Sequence, residues 1–306
     1  TAVRVASRAA STACGDAGAA TRQFILRSAA PPTGGLASSA PRLTTSLLLL
    51  ASAAATAASV AACSSSPPRR SVRMESPVAV QAEERYNDSS YDRRQLLADL
   101  RESHAAHPED IGVSWRLTRA AYDVANLRAT PAAEKKELTY YARDVIERTL
   151  DGAQDVPEVH KWVGIILSSI GDYEGSKVSI ANSFVIKGHW DKAVELNPQD
   201  ATTYYLLGRW CIAIADLSWL ERKAAAVLFG SPPEATYAEA LEFLMKSEAL
   251  APDSWKKRTL LIAQVHQKMK DAAAAKDWTA RALALPVSSD EDEQVQEEAA
   301  ALLKKL

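Results

Sequence analysis

A helix-ending segment, a proline and then an acid or amide recur along this chain: His107-Pro108-Glu109-Asp110, Asn197-Pro198-Gln199-Asp200 and Ala251-Pro252-Asp253-Ser254. Proline stops the preceding helix because it has no N–H to donate. The Asp or Ser that follows is placed to cap the next helix. Asp155-Val156-Pro157-Glu158 is a looser copy. From Pro252 to Pro286 is 34 residues, the period of a helix–turn–helix repeat. A chain punctuated in this way is constrained to short helices stacked in pairs.

The last unit shows the internal pattern. Leu261, Ile262, Val265 and Met269 share one face of its first helix, and Ala275, Trp278, Ala282 and Leu285 one face of its second. The expected fold class is therefore all-α: a tetratricopeptide (TPR)-like α-solenoid of antiparallel helix pairs. Residues 202–211 read as another first helix, with Tyr204, Leu207 and Gly208 at the aromatic, leucine and glycine positions. Gly208 lies 44 residues before Pro252, where a regular repeat has about 24. The surplus falls at 217–236 and is amphipathic before Pro232-Pro233. Gly164 lies 34 residues before Pro198, about ten more than a regular repeat needs. That second surplus, 176–186, has helical spacing and predicts a lengthened second helix. Residues 93–108 read as a half-repeat, 114–127 and 132–150 as a pair, and 288–306 as a capping helix started by Ser288 with Glu291.

Composition narrows the function. Alanine is abundant and glycine scarce, which favours helices. Residues 1–74 hold eight arginines, no lysine and one acid, Asp16. The remainder carries 28 basic and 37 acidic residues, net −9, so nucleic acid is not an expected partner. Cys14, Cys63 and Cys211 have neither disulfide nor metal-ligand spacing, and Cys211 is expected to be a buried small hydrophobe. No phosphate-binding glycine loop, HExxH, CxxC or GxSxG motif occurs. Packing or surface roles are expected for His104, His107, His160, His189 and His266, and a solvated helix start for the acids at 290–293. No catalytic residue, metal or cofactor is expected, and the chain reads as a non-enzyme.

Residues 1–85 are expected to be a disordered leader, and 86–306 the helical-repeat domain. The leader is rich in Arg and Ser and poor in acids, like an organelle transit peptide. It contains a weakly apolar stretch at 43–63. Mitochondrial localisation is expected, the alternatives being a plastid, or a cytoplasmic or microtubule-associated protein if 1–73 are not native. Val60-Ala61-Ala62-Cys63 also looks like a lipoprotein cleavage box, and translated upstream sequence ahead of Met74 would have a similar composition. Membrane association is expected only through this segment.

The repeat body resembles the regulator of microtubule dynamics family. The resemblance is carried by residues 115–123, 134–142, 160–165, 171–211, 228–241 and 291–303, and both inserts sit where the family has them. It implies an interaction scaffold linked to microtubules and to mitochondria. Some members bridge the mitochondrial outer membrane to the endoplasmic reticulum, and the resemblance implies a TPR domain able to hold a lipid. The bridging form uses a phenylalanine in an acidic tract, and none of Phe24, Phe184, Phe229 or Phe243 lies in one. Protein partners, tubulin among them, are expected on the concave face around Lys161, Trp162, Tyr204, Arg209 and Trp210. An insert surface, or the lining for a lipid, is expected at Ile180, Phe184, Trp190, Trp219 and Phe229. Contact with the acidic surface of tubulin needs a local basic patch, for which Lys256, Lys257, Arg258 and Lys268 are the candidates.

Overall fold

A computed structural model of the chain describes residues 75–306 apart from 89, 175 and 230–233, with some side chains in the helices, those of Ile180 and Phe229 among them, outside that description. The readings of the leader, including the stretch at 43–63, lie outside the described residues. Among those described there are twelve helices and no strands. They are α1 (Pro77–Asn87), α2 (Arg93–Ala106), α3 (Ile111–Ala125), α4 (Ala132–Asp151), α5 (Pro157–Glu174) and α6 (Ser176–Leu196). The others are α7 (Ala201–Ala215), α8 (Trp219–Phe229), α9 (Tyr237–Leu250), α10 (Lys256–Lys268), α11 (Ala272–Ala284) and α12 (Asp290–Leu303).

Side-chain caps set most of the starts. Asp92, Asp110, Asp200 and Asp271 each accept a backbone N–H from the first turn they precede. Thr236 and Glu239 form a reciprocal capping box on α9. The helices then pair as a TPR-like solenoid: α3 on α4, α5 on α6, α7 on α9, and α10 on α11. The second helix of each pair packs on the first helix of the next. One apolar cluster runs unbroken from Ala79 in α1 to Val265 in α10. A smaller one, built on Leu260, Ala263, Ala282, Val295, Ala299 and Leu302, closes the C-terminal end beneath α12. α8 comes between the two helices of its pair in sequence and contacts α6.

Several expectations need correction. The fold starts before residue 86: Ser76 caps α1, Pro77 starts it, and Ala79, Ala82 and Tyr86 are buried. The ten-residue surplus is split between two helices. α5 has 18 residues against 15 in α3 and α7, and α6 has 21 against 14 in α9. α5 runs on through Gly171, which is buried along with Ile170. The seven residues by which α6 exceeds α9 make it about 10 Å longer at 1.5 Å each, close to the 20-residue α4. α12 is capped by Ser289, and Asp292 receives both the N–H and the hydroxyl of Ser288. Glu291 is taken by Lys257 instead. Ser254 turns back to the Ala251 carbonyl, so α10 has Trp255 as its N-cap and no side-chain cap bond. Met269 is exposed, because the buried side of α10 is Leu260, Ile262, Ala263 and Val265.

Candidate functional site

The first helices of successive pairs line one face of a solenoid, and the candidate residues lie on two of them, α5 and α7. Close approach of the second helices fixes where they point. A Cβ at Gly164 would fall inside the Trp190 indole, and one at Gly208 would come within 2.7 Å of Leu244 Cγ. The Trp190 Nε1–H, brought this near, donates to the Lys161 carbonyl at 3.2 Å. Trp210 ties α7 to α6 in the same way, donating to the Ser183 carbonyl at 3.0 Å. Trp162 packs against Tyr122 of α3, ring centroids 5.8 Å apart. All three tryptophans are buried, which places them as staples between helices and not on a partner-facing surface.

Lys161 bonds Asp200 at 2.9 Å, and both side chains are largely buried. Burial works against the Asp200 carboxylate, but Lys161, Thr203 and the Thr202 N–H outweigh it and hold its pKa below the usual range. Burial likewise opposes the Lys161 ammonium, and Asp200 and Glu158 overcome it, so its pKa is raised. This pair joins α5 to the cap of α7 across the repeat boundary. On α7, Tyr204 stacks on Phe243 of α9 at 6.5 Å, with Lys246 Nζ 5.9 Å from its ring. The Arg209 guanidinium donates to the Tyr205 hydroxyl at 3.4 Å, and Tyr205 lies against Trp255. Tyr204 and Arg209 remain half-buried.

Residues 78–306 match the family described as Regulator of microtubule dynamics protein 1-3. The chain belongs to this family. It is 43% identical over 212 residues to Regulator of microtubule dynamics protein 1 of Mus musculus, covering 69% of this chain and 68% of that protein. It is 41% identical to the Bos taurus protein 1, covering 69% and 65%. With Regulator of microtubule dynamics protein 3 of Xenopus laevis the identity is 36%, covering 65% and 42%. The chain thus spans about two thirds of the protein 1 relatives and under half of that protein 3. A thermophilic TPR protein of Thermus thermophilus superposes with TM-score 0.46 at 14% identity, over 69% of this chain and 91% of that one.

In this family member the insert residues divide. Trp190 is in the core, whereas Phe184 and Trp219 face solvent, 44% and 68% exposed, with Lys223 over the Trp219 ring. Ile180 and Phe229 are the two whose side chains are not described. The basic cluster of α10 does not converge. Lys256 is buried and donates to the Leu285 carbonyl, Lys257 pairs with Glu291, buried Arg258 with Glu248, and Lys268 with Asp216. Cys211 is buried, and burial pushes its thiol up to about 11. Among the described residues no group of three or more His, Cys, Asp and Glu could hold a metal ion, and no helix is long and apolar enough to cross a membrane.

Sequence reasoning missed three features. His160 and His189 face each other, Nδ1 to Nδ1 at 2.9 Å, with His160 Nε2 at the Gln154 carbonyl; no spacing rule pairs residues 29 apart. Phe243 and Lys246 complete the edge around Tyr204 from the far side of an insert. The third is the contact between α1 and α3, for which Ser76-Pro77 was an available helix-start signal.

Proposed function

We propose that this family member is a non-enzymatic scaffold that binds protein partners along the face of its first helices, centred on α7. The carrying observation is the surface of α7. Nine of its fifteen residues are buried, and among those left half-buried are Tyr204 and Arg209, residue types that dominate interface hot spots. Lys246 and Phe243 extend that edge, and the buried Lys161–Asp200 pair holds α5 and α7 in register beneath it. The family name motivates a microtubule link. The described body is acidic overall and the lysines and arginine of α10 are internally occupied, so we assign that link to a bound protein partner instead of direct charge contact with tubulin. Mitochondrial association is part of the same proposal and is assigned to residues 1–74, ahead of the folded body; a fluorescent protein fused behind that segment should reach mitochondria, and diffuse signal would refute it.

A photo-reactive phenylalanine analogue placed at Tyr204 tests the binding face, with Glu147 on α4 as the exposed control. Irradiation with the cell's proteins should give one discrete adduct from position 204, lost when Arg209→Ala is added, and none from 147. Equal labelling from both positions, or none from 204, would sink this reading.

A further inference from the structure

α1 is weakly secured by apolar burial. Only Ala79, Ala82 and Tyr86 of its eleven residues are buried, while Val78 and Val80 are 37% and 44% exposed. Charge does much of the holding. The Glu83 carboxylate accepts Arg116 Nε at 2.9 Å and both terminal nitrogens of Arg119 at 2.9 and 3.1 Å. Glu75, just before the helix, accepts Arg116 Nη2 on both oxygens at 2.9 and 2.8 Å. The Tyr86 ring lies 3.4 Å from the Arg119 guanidinium and 4.4 Å from that of Arg93. The two glutamates keep much of their contact with water, 47% and 32% of the side chain exposed, while the arginines beneath them are 4% and 7% exposed.

We infer that the face of α3 under α1 is a recognition surface for an acidic, tyrosine-bearing segment, with α1 as its exchangeable internal occupant. Arg116 and Arg119 lie one turn apart on α3, and Trp115 carries both guanidinium groups at 4.1 and 5.1 Å from its ring. With α1 lifted, these three residues form a dibasic aromatic surface. A segment offering two carboxylates and a tyrosine, in the spacing of Glu75, Glu83 and Tyr86, restores the contacts that α1 makes with Arg116 and Arg119, leaving out the Arg85–Asp99 pair that also ties α1 to α2. Arg119 Nε is buried with no hydrogen-bond partner, so an incoming segment has a donor that α1 leaves unused. Charge pairs at partly exposed carboxylates are individually weak and screened by salt. α1 also lies at the start of the described stack, where α2 and α3 remain packed on each other without it, and terminal elements open at low cost. This surface is separate from the one proposed on α7 and does not depend on it.

The test uses the full chain and a fluorescent synthetic peptide of residues 75–88. Anisotropy should show the peptide binding the Glu75→Gln/Glu83→Gln chain at least about tenfold more tightly than wild type, because the internal competitor is weakened. That binding should fall with added salt and be lost from a peptide carrying Glu83→Gln and Tyr86→Ala. Hydrogen exchange on wild-type chain is the second arm: α1 amides should exchange several-fold faster at about 0.5 M than at about 0.05 M salt, with α2 and α3 unchanged. Equal peptide affinity for variant and wild type, or undiminished binding of the substituted peptide, overturns the proposal. So does α1 exchanging as slowly as α3 at both salts, and this arm decides alone if the double variant fails to fold.

Discussion

Gly164→Ala and Gly188→Ala are the same chemical change on adjacent helices, and the structure gives them opposite signs. Alanine is favoured over glycine inside a helix by about 1 kcal/mol. At Gly188, exposed on α6, nothing lies within 4 Å of a new Cβ, so most of that gain should be realised. At Gly164 the methyl would occupy the Trp190 indole, with three ring atoms closer than any real Cβ contact. Trp190 is 4% exposed and cannot swing outward without giving up its bond to the Lys161 carbonyl. Overpacking of a filled core costs about 1–3 kcal/mol, and a lost hydrogen bond about 1 kcal/mol more. Set against the helix gain, Gly164→Ala should destabilise by about 1–3 kcal/mol. Urea unfolding followed by circular dichroism reads both, and thermal midpoints should move about 2–4 °C per kcal/mol for a domain of this size. The midpoint should rise for Gly188→Ala and fall for Gly164→Ala. A rise for both would refute the packing of α6 on α5 through Trp190.

Burial pushes the Asp123 carboxyl up to about 6 against the pull of Arg119 and Arg93. The folded chain therefore holds that proton more tightly than the unfolded one, and this stabilisation is complete below about pH 4 and lost as pH rises through about 6. The two-unit difference bounds the effect at about 3 kcal/mol, less what water recovers at its partly exposed edge; Asp123→Asn should gain stability relative to wild type between pH 4 and 7.5 in parallel denaturant melts. Lys161→Ala breaks a buried pair, whereas Asp200→Ala breaks the same pair and removes the cap of α7, so Asp200→Ala should cost about 1 kcal/mol more. In a Cys14→Ser/Cys63→Ser chain, Cys211 should stay unreactive toward Ellman's reagent at pH 8 until denaturant is added, since its thiol is both buried and held protonated.

The repeat was legible because its signals are local. Asp110 and Asp200 cap the helices that their prolines announce, and Gly164 and Gly208 mark where second helices come close. Features set by distant residues were not. The concave face of the solenoid brought Trp162 and Trp210 forward as candidates and the insert brought Trp190, but neither can say that Trp190 and Trp210 find backbone carbonyls 29 and 27 residues away. The basic run at 256–258 looks like a patch in one dimension, and Leu285, Glu291 and Glu248 disperse it in three. The surplus placed at 176–186 was correctly helical, yet its division between α5 and α6 depends on what Ile170 and Gly171 pack against. α1 escaped notice because it is short and buries mainly alanines, so its hydrophobic period is faint.

Microtubule co-sedimentation of the purified full chain tests the scaffold reading most directly. At about 0.15 M salt, where surface attraction is screened beyond about 8 Å, the chain alone should stay in the supernatant with polymerised tubulin. It should pellet when its partner proteins are restored, and Tyr204→Ala/Arg209→Ala should return it to the supernatant. Pelleting of the purified chain alone, unchanged by those two substitutions, would contradict the account.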